Sequence, residues 1–364
     1  MPKTKRLYPV NYLGASPRGI NRKQTFNFEA SLGVSYPLAA PVKLKYYAIC
    51  MVWLLLSCKE SEQTTTIGIS FETLQTEYWV ASANAMKDAC TENQIEYLEA
   101  VANGDANRQF EQVNNFISRG VDGIIIAPKD GHTVIPIIKA ANRANIPIVI
   151  YNKLPAANKG LYVTVVADNY EITKNTVRHM GNLARKSKEK YKAMILIGDL
   201  GDINAVRRRD GFNDAIKEFE DCIEVVAQVP TEWNQEKALA GVTNALQANP
   251  DINFIFSSSD FLFPSVVSAL KNVDKYHPVG HKGHVILGGF DGDATAYKML
   301  LSQHLDADGV QDVYYESEAS VQAILDKLNG IPVDSLLVDP GFVIHQGNLK
   351  EKAKIMWGAN LPLD

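Results

Sequence analysis

The chain has 364 residues, 46% of them apolar and 21% charged, and a formal net charge of −4. That is the composition of a soluble globular protein with room for two domains, each with its own core. The charge is uneven. Residues 1–57 hold eight Lys/Arg against the single acid Glu29, leaving 29 basic and 40 acidic residues, a net of −11, for 58–364. So acidic a body repels phosphate backbones, and no nucleic-acid partner is expected.

Residues 1–41 contain Pro2, Pro9, Pro17, Pro37 and Pro41 and show few helical or strand patterns. They read as a non-native, misassigned extension, with the working start at Val42. From Tyr46 to Leu56 the chain runs YYAICMVWLLL, eleven apolar or aromatic residues. A membrane-crossing helix needs about 20. Eleven is instead the length of the apolar region of a secretory signal, and Lys43 and Lys45 supply its positive flank. The competing reading, a buried strand or short helix, fits neither the lysines nor the abrupt polar switch that follows. Leu55-Leu56-Ser57-Cys58 resembles the bacterial lipobox, in which the cysteine is lipidated and becomes the new N-terminus. Residues 42–57 are therefore expected to be a lipoprotein signal peptide, Cys58 the lipidation site, and 58–64 a tether. The other cysteines show no CxxC spacing, and Cys90 and Cys222 fall in helical patterns, where burial as small hydrophobes is expected.

After the tether an alternation begins. Strand-like runs are TIGISF (66–71), IEYLEAV (95–101), VDGIIIAP (121–128) and IPIVIYN (146–152), with amphipathic helical patterns between them. Trp79, Ala83, Met86 and Cys90 follow helical spacing, as do Phe110, Val113 and Ile117 ahead of Gly120. The pattern restarts with KAMILIGD (192–199), IEVVAQV (223–229), INFIFSSSD (252–260) and HVILGGFDG (284–292). Strand–helix units at this spacing build a parallel sheet with helices on both faces. The expected fold is α/β, two Rossmann-like doubly wound lobes.

In open parallel sheets the ligand site lies beyond the carboxyl ends of the strands. Those positions hold Tyr78 and Trp79 after the first strand and Asn152-Lys153 after the fourth. In the second half they hold Arg207-Arg208-Arg209, Glu232-Trp233-Asn234, Ser259-Asp260 and Asp291. Aromatic faces with amides and charges of both signs suit a carbohydrate: rings stack on C–H patches while polar groups bind hydroxyls. Each residue also has a plainer role. Trp79 begins a core stripe, an Arg run is usually a solvated face, and Asp260 and Asp291 stand where helix caps stand.

The segments RGVDGIIIAP (119–128), ANIPIVIYNK (144–153), ADN (167–169), RRDGF (208–212), TEWNQEKAL (231–239), SSSD (257–260) and GGFDG (288–292) carry a resemblance. From about residue 65 to 347 the chain resembles the type I periplasmic sugar-binding proteins of the ribose/galactose branch. The resemblance implies two lobes joined by three crossovers, near Asp168, Gln311 and Gly341. Lobe one is then 65–168 plus 312–340, and lobe two 169–311 plus 341–364. It implies Tyr78, Trp79 and Trp233 as stacking aromatics, Arg208 as the ring-binding arginine, and Asp291 and Gln311 as polar contacts. Asn152, Lys153, Ser259 and Asp260 complete the expected ligand-binding set. Departures are Ala127 in place of an amide, Asn152-Lys153 in place of Asp-Arg, Ser259 in place of Asn, and Thr76 in place of Asn. The loss of a carboxylate with retention of Lys153 and Arg208 leaves room for a modified or acidic sugar.

HPVGHKGH (277–284) lies in a loop without a nearby cysteine or helical pairing, so no metal is expected. GDLGD (198–202) lacks a GxGxxG or a Walker lysine, and neither HExxH nor GxSxG occurs. The expected protein is thus a monomeric binding protein, not an enzyme, with no cofactor. It is placed in the periplasm, held to a membrane by lipid alone, and serves an ABC permease and ATPase pair. A receptor signalling to a membrane histidine kinase or chemoreceptor is the alternative. A sugar-responsive repressor would share the two-lobed core, but would carry a helix-turn-helix where this chain carries a lipobox.

Overall fold

The computed structural model describes residues 64–361. The extension at 1–41, the signal at 42–57 and Cys58 lie outside that range. Five strands come first: β1 Thr66–Phe71, β2 Glu96–Val101, β3 Gly123–Ala127, β4 Ile148–Tyr151 and β5 Val163–Ala167. Between the first four run α1 Glu77–Glu92, α2 Ala106–Ser118 and α3 Val134–Arg143. Next come α4 Asn169–Ser187, β6 Tyr191–Ile197, α5 Ile203–Lys217, β7 Ile223–Pro230, α6 Gln235–Ala248 and β8 Ile252–Ser257. They are followed by α7 Phe263–Asn272, β9 Ile286–Asp291, α8 Ala294–Leu301 and β10 Ala307–Val310. α9 Val313–Leu328, β11 Leu336–Asp339, β12 Phe342–His345 and the short α10 Leu349–Lys352 complete the set.

The strands form two six-stranded sheets, in the orders β11-β5-β4-β3-β1-β2 and β12-β10-β9-β8-β6-β7. The ladders are parallel except β10–β12, where Ala307 faces His345 across an antiparallel pair. In the first sheet, α1 and α9 pack together on one face and α2 and α3 on the other. That double cover explains why β3 reads GIIIA with every position buried. Burying each of Ile124, Ile125 and Ile126 stabilises the lobe by about 1.5–3 kcal/mol. In the second sheet α4 and α5 pair on one face and α6 and α7 on the other. Cys90 and Cys222 are buried free thiols.

The chain passes between the sheets after β5, after β10 and after β11. All three passages meet at Asp339. Its carbonyl accepts from Asp168 N at 2.8 Å, and its carboxylate accepts from Asp312 N (2.7 Å) and Gly341 N (2.8 Å). Burial pushes the Asp339 carboxyl up to about 6 despite those donors. Gly341 turns the third passage with φ +53°, and a Cβ there would lie 2.3–2.4 Å from Ile172 and the Val310 carbonyl. Only glycine meets both conditions without strain.

Candidate functional site

The carboxyl ends of β1 and β4 on one lobe face those of β6–β9 on the other. Asn152 follows β4 with φ +67°, a left-handed conformation that asparagine tolerates better than most residues. Its Nδ2 donates to the Tyr78 hydroxyl (2.7 Å), and that hydroxyl donates to Glu316 Oε2 (2.9 Å). Tyr151 lies beside them and donates to Ser82 Oγ at 2.9 Å. Glu316 is fully buried on α9, and its carboxyl is pushed well up by burial and then by Asp339. Tyr78 therefore walls the cleft with its hydroxyl turned into the lobe. Trp79 sits edge-on to Phe71 and Tyr78 at 6.4 and 5.0 Å, serving the core stripe as well as the cleft.

Lys153 lies 5.8 Å above the Trp79 ring, forms an ion pair with Glu72 and donates to the Lys129 carbonyl at 3.0 Å. Glu72 is the residue after β1, and burial raises its pKa against the lowering pull of Lys153. So the carboxylate missing at 152 is supplied from 72, and Lys153 carries no surplus charge.

On the second lobe, Asp202 caps α5 by accepting from Asn204 N, and one turn further on Arg208 points inward. Arg208 donates from Nε to Asn169 Oδ1 (2.6 Å) and from Nη1 to the Ser258 carbonyl (2.7 Å) and Asp291 Oδ1 (3.0 Å). Its guanidinium lies 3.7 Å from the Phe290 ring centroid and 5.7 Å from that of Trp233. Nη2 has no hydrogen-bond partner among the described residues. Arg207 is exposed, and Arg209 pairs with its neighbour Asp210. One member of the triplet turns in.

Asp291 is the hub of this wall. It takes Arg208 and Gln311 Nε2 (2.8 Å) on Oδ1 and Ser259 Oγ (2.5 Å) on Oδ2. Its backbone has φ +135° and is held by the Trp357 indole, whose Nε1 donates to the Asp291 carbonyl at 2.8 Å. Asp260 is fully buried, and its Oδ2 accepts from Gly292 N (2.8 Å) and Asp293 N (3.2 Å), so it holds the turn beneath the cleft. Gln311 is buried with Oε1 unpaired. Trp233 (φ +56°) and Glu232 (φ +51°) have positive φ, as do Asn152 and Asp291. The Trp233 indole lies against Gly198, where a Cβ would come within 2.1 Å of the ring.

The structure thus places the predicted residues at the facing strand ends of the two lobes, with Asp260 holding the turn behind them. It also adds Glu72, Asn169, Asn204 and Trp357, which sequence reading missed. Asn169 and Asn204 stand at helix starts, where polar residues ordinarily read as caps. Trp357 follows the last strand and so lay outside the strand-end rule. In the histidine loop, His284 is engaged by Asp306 Oδ2 (2.9 Å) and the His277 carbonyl (2.7 Å).

Two α/β lobes, crossed three times and facing each other across tryptophans, amides and paired charges, define a receptor that captures a small molecule between its halves. A family model for the periplasmic binding protein domain matches residues 67–332, and the chain belongs to that family. It is 23% identical over 288 residues to a ribose import binding protein of Bacillus subtilis, covering 79% of this chain and 90% of that one. An ABC transporter solute binding protein of Bacillus halodurans with bound myo-inositol is 26% identical, with a TM-score of 0.69 and 79% and 96% coverage. A periplasmic solute binding protein of Actinobacillus succinogenes with bound D-allose shares the fold at 24% identity and TM-score 0.73, covering 79% of this chain and 99% of that one.

Proposed function

We propose that the chain binds a neutral monosaccharide or polyol in the interlobe cleft and delivers it to an ABC importer, from a lipid anchor on Cys58 in the periplasm. The observation that carries the ligand class is the charge balance. Lys153 is answered by Glu72 and Arg208 by Asp291, so the cleft offers hydrogen bonds without a free ionic partner. Import by the named Bacillus subtilis relative and the ligand of the Bacillus halodurans structure support the same reading. Binding works by population shift: a ligand that touches both walls stabilises the closed arrangement, which a membrane partner reads.

Thermal-shift screening of the protein against D-ribose, D-allose, myo-inositol and matched uronic acids tests the ligand class. A ligand at 100 times its Kd adds about 2.7 kcal/mol of stability, a rise of several degrees. The neutral compounds are expected to give it; a shift confined to the uronic acids would overturn the reading. The anchor is tested separately. Cys58→Ser is expected to abolish incorporation of labelled palmitate into the native protein, and unchanged labelling would refute lipidation at this residue.

A further inference from the structure

We propose that Asn204 is a latch between the lobes, a positioning residue that holds the cleft shut through its own amide as well as through any ligand; this rests on the cleft being the ligand site. Asn204 sits on the first turn of α5 and is buried. Its Nδ2 reaches across to lobe one, donating to Asn152 Oδ1 at 3.0 Å and lying 3.2 Å from the Asn152 carbonyl. Its Oδ1 accepts from Asn169 Nδ2 at 3.2 Å within lobe two, and Asn169 Oδ1 in turn accepts from Arg208 Nε.

The consequence is a continuous hydrogen-bond chain. It runs from Glu316 through Tyr78, Asn152, Asn204, Asn169 and Arg208 to Asp291. Every link but one joins residues of a single lobe. The exception is Asn152 to Asn204, so that bond alone in the chain breaks when the lobes part. An amide suits the position because it donates across the cleft and accepts inside its own lobe at once. A carboxylate could only accept, and would set an acceptor against the two oxygens of Asn152. A second contact, Glu77 Oε2 accepting from Ala294 N at 3.0 Å, joins the lobes at the start of α8. The closed arrangement is thus favoured by the protein's own groups, and the ligand adds to a bias already present.

The test uses the full chain in detergent, without added ligand, carrying spin labels at the exposed positions Glu92 on lobe one and Asn272 on lobe two. Double electron–electron resonance then reads the closed and open populations. The wild type is expected to show both. Asn204→Asp keeps the acceptor for Asn169 and loses the donor to Asn152, so it is expected to lower the closed-to-open ratio roughly fivefold, the scale of one hydrogen bond. Asn204→Ala is expected to lower it by as much or more. If Asn204 serves only the inside of lobe two, Asn204→Asp will match the wild type while Asn204→Ala departs from it, and the proposal fails. A wild type with no closed population overturns it as well. Because this readout needs no ligand, a failure of every sugar in the thermal-shift screen would count against the proposed function and leave the latch result standing.

Discussion

Replacing Arg208 with alanine is expected to lower stability by about 3–5 kcal/mol and to reduce ligand affinity at least tenfold. The first figure is what removing one partner of a buried ion pair costs, because the survivor is left without compensation. Here the survivor is Asp291, whose charge adds to burial in raising the pKa of Asp260, Asp293 and Asp308. Arg208 is the cation paired with that group, and its side chain is only 6% exposed, so solvent screens little of the loss. Two further acceptors, Asn169 Oδ1 and the Ser258 carbonyl, lose a charged donor at the same time. In melting temperature the loss corresponds to roughly 5–8 °C for a protein of this size. The affinity loss follows from the missing Nη2 donors, since a hydrogen bond from a charged group contributes about 1.5–3 kcal/mol. Differential scanning calorimetry and isothermal titration with the best compound of the sugar panel check the two figures. Arg208→Lys separates them: its ammonium restores charge beside Asp291 but lacks the planar fork. It should recover most of the stability and little of the affinity. An Arg208→Ala protein with wild-type melting and wild-type affinity would remove Arg208 from the site.

Much of the architecture was legible because the two lobes are built from long, double-covered strands. TIGISF coincides with β1, and the other seven predicted runs overlap β2–β4 and β6–β9 with ends shifted by at most three residues. β5, β10, β11 and β12 were not among the predicted runs. They are four or five residues long; β10 reads ADGV, against strand propensity, and Leu336 of β11 is exposed at a sheet edge. They become strands through pairing with neighbours already in place. The site shows the same division. Residues at strand ends could be found from topology, whereas Glu72 and Asn204 matter through partners 81 and 52 positions away. Charge balance in the cleft is a property of such pairs. Lys153 read without Glu72 looks like a free cation, whereas the fold holds it in an ion pair.

Asp308→Asn is expected to make the protein more stable at pH 8 and to flatten the dependence of its stability on pH. Asp308 lies in the middle of β10, fully buried, and neither carboxylate oxygen has a donor among the described residues. Asp260 Oδ1 is likewise unpaired. A Cβ built on Gly289 would lie 2.3 Å from Asp260 Oδ1 and 2.8 Å from Asp308 Oδ1, so the two carboxyls converge on one point. Two ionised carboxylates offer only acceptors there; one shared proton turns their repulsion into a hydrogen bond. Burial is the main cause of the upward displacement of both groups, followed for Asp260 by the charge of Asp308. The pair therefore holds a proton when folded that an unfolded aspartate loses near pH 4. Between that pH and the raised folded value the native state binds more protons than the unfolded one. Stability accordingly falls as pH rises, by about 1.4 kcal/mol per pH unit for one proton. An asparagine at 308 supplies a permanent donor to Asp260 and removes the charge of Asp308 from beside it, so that one-proton slope is reduced. Asp291, Asp293 and Asp339 titrate in both proteins, so the difference between wild type and variant isolates the pair. Urea unfolding at pH 5, 6, 7 and 8 gives both slopes. A variant less stable than the wild type at every pH, with the slope unchanged, would show that no shared proton joins Asp260 to Asp308.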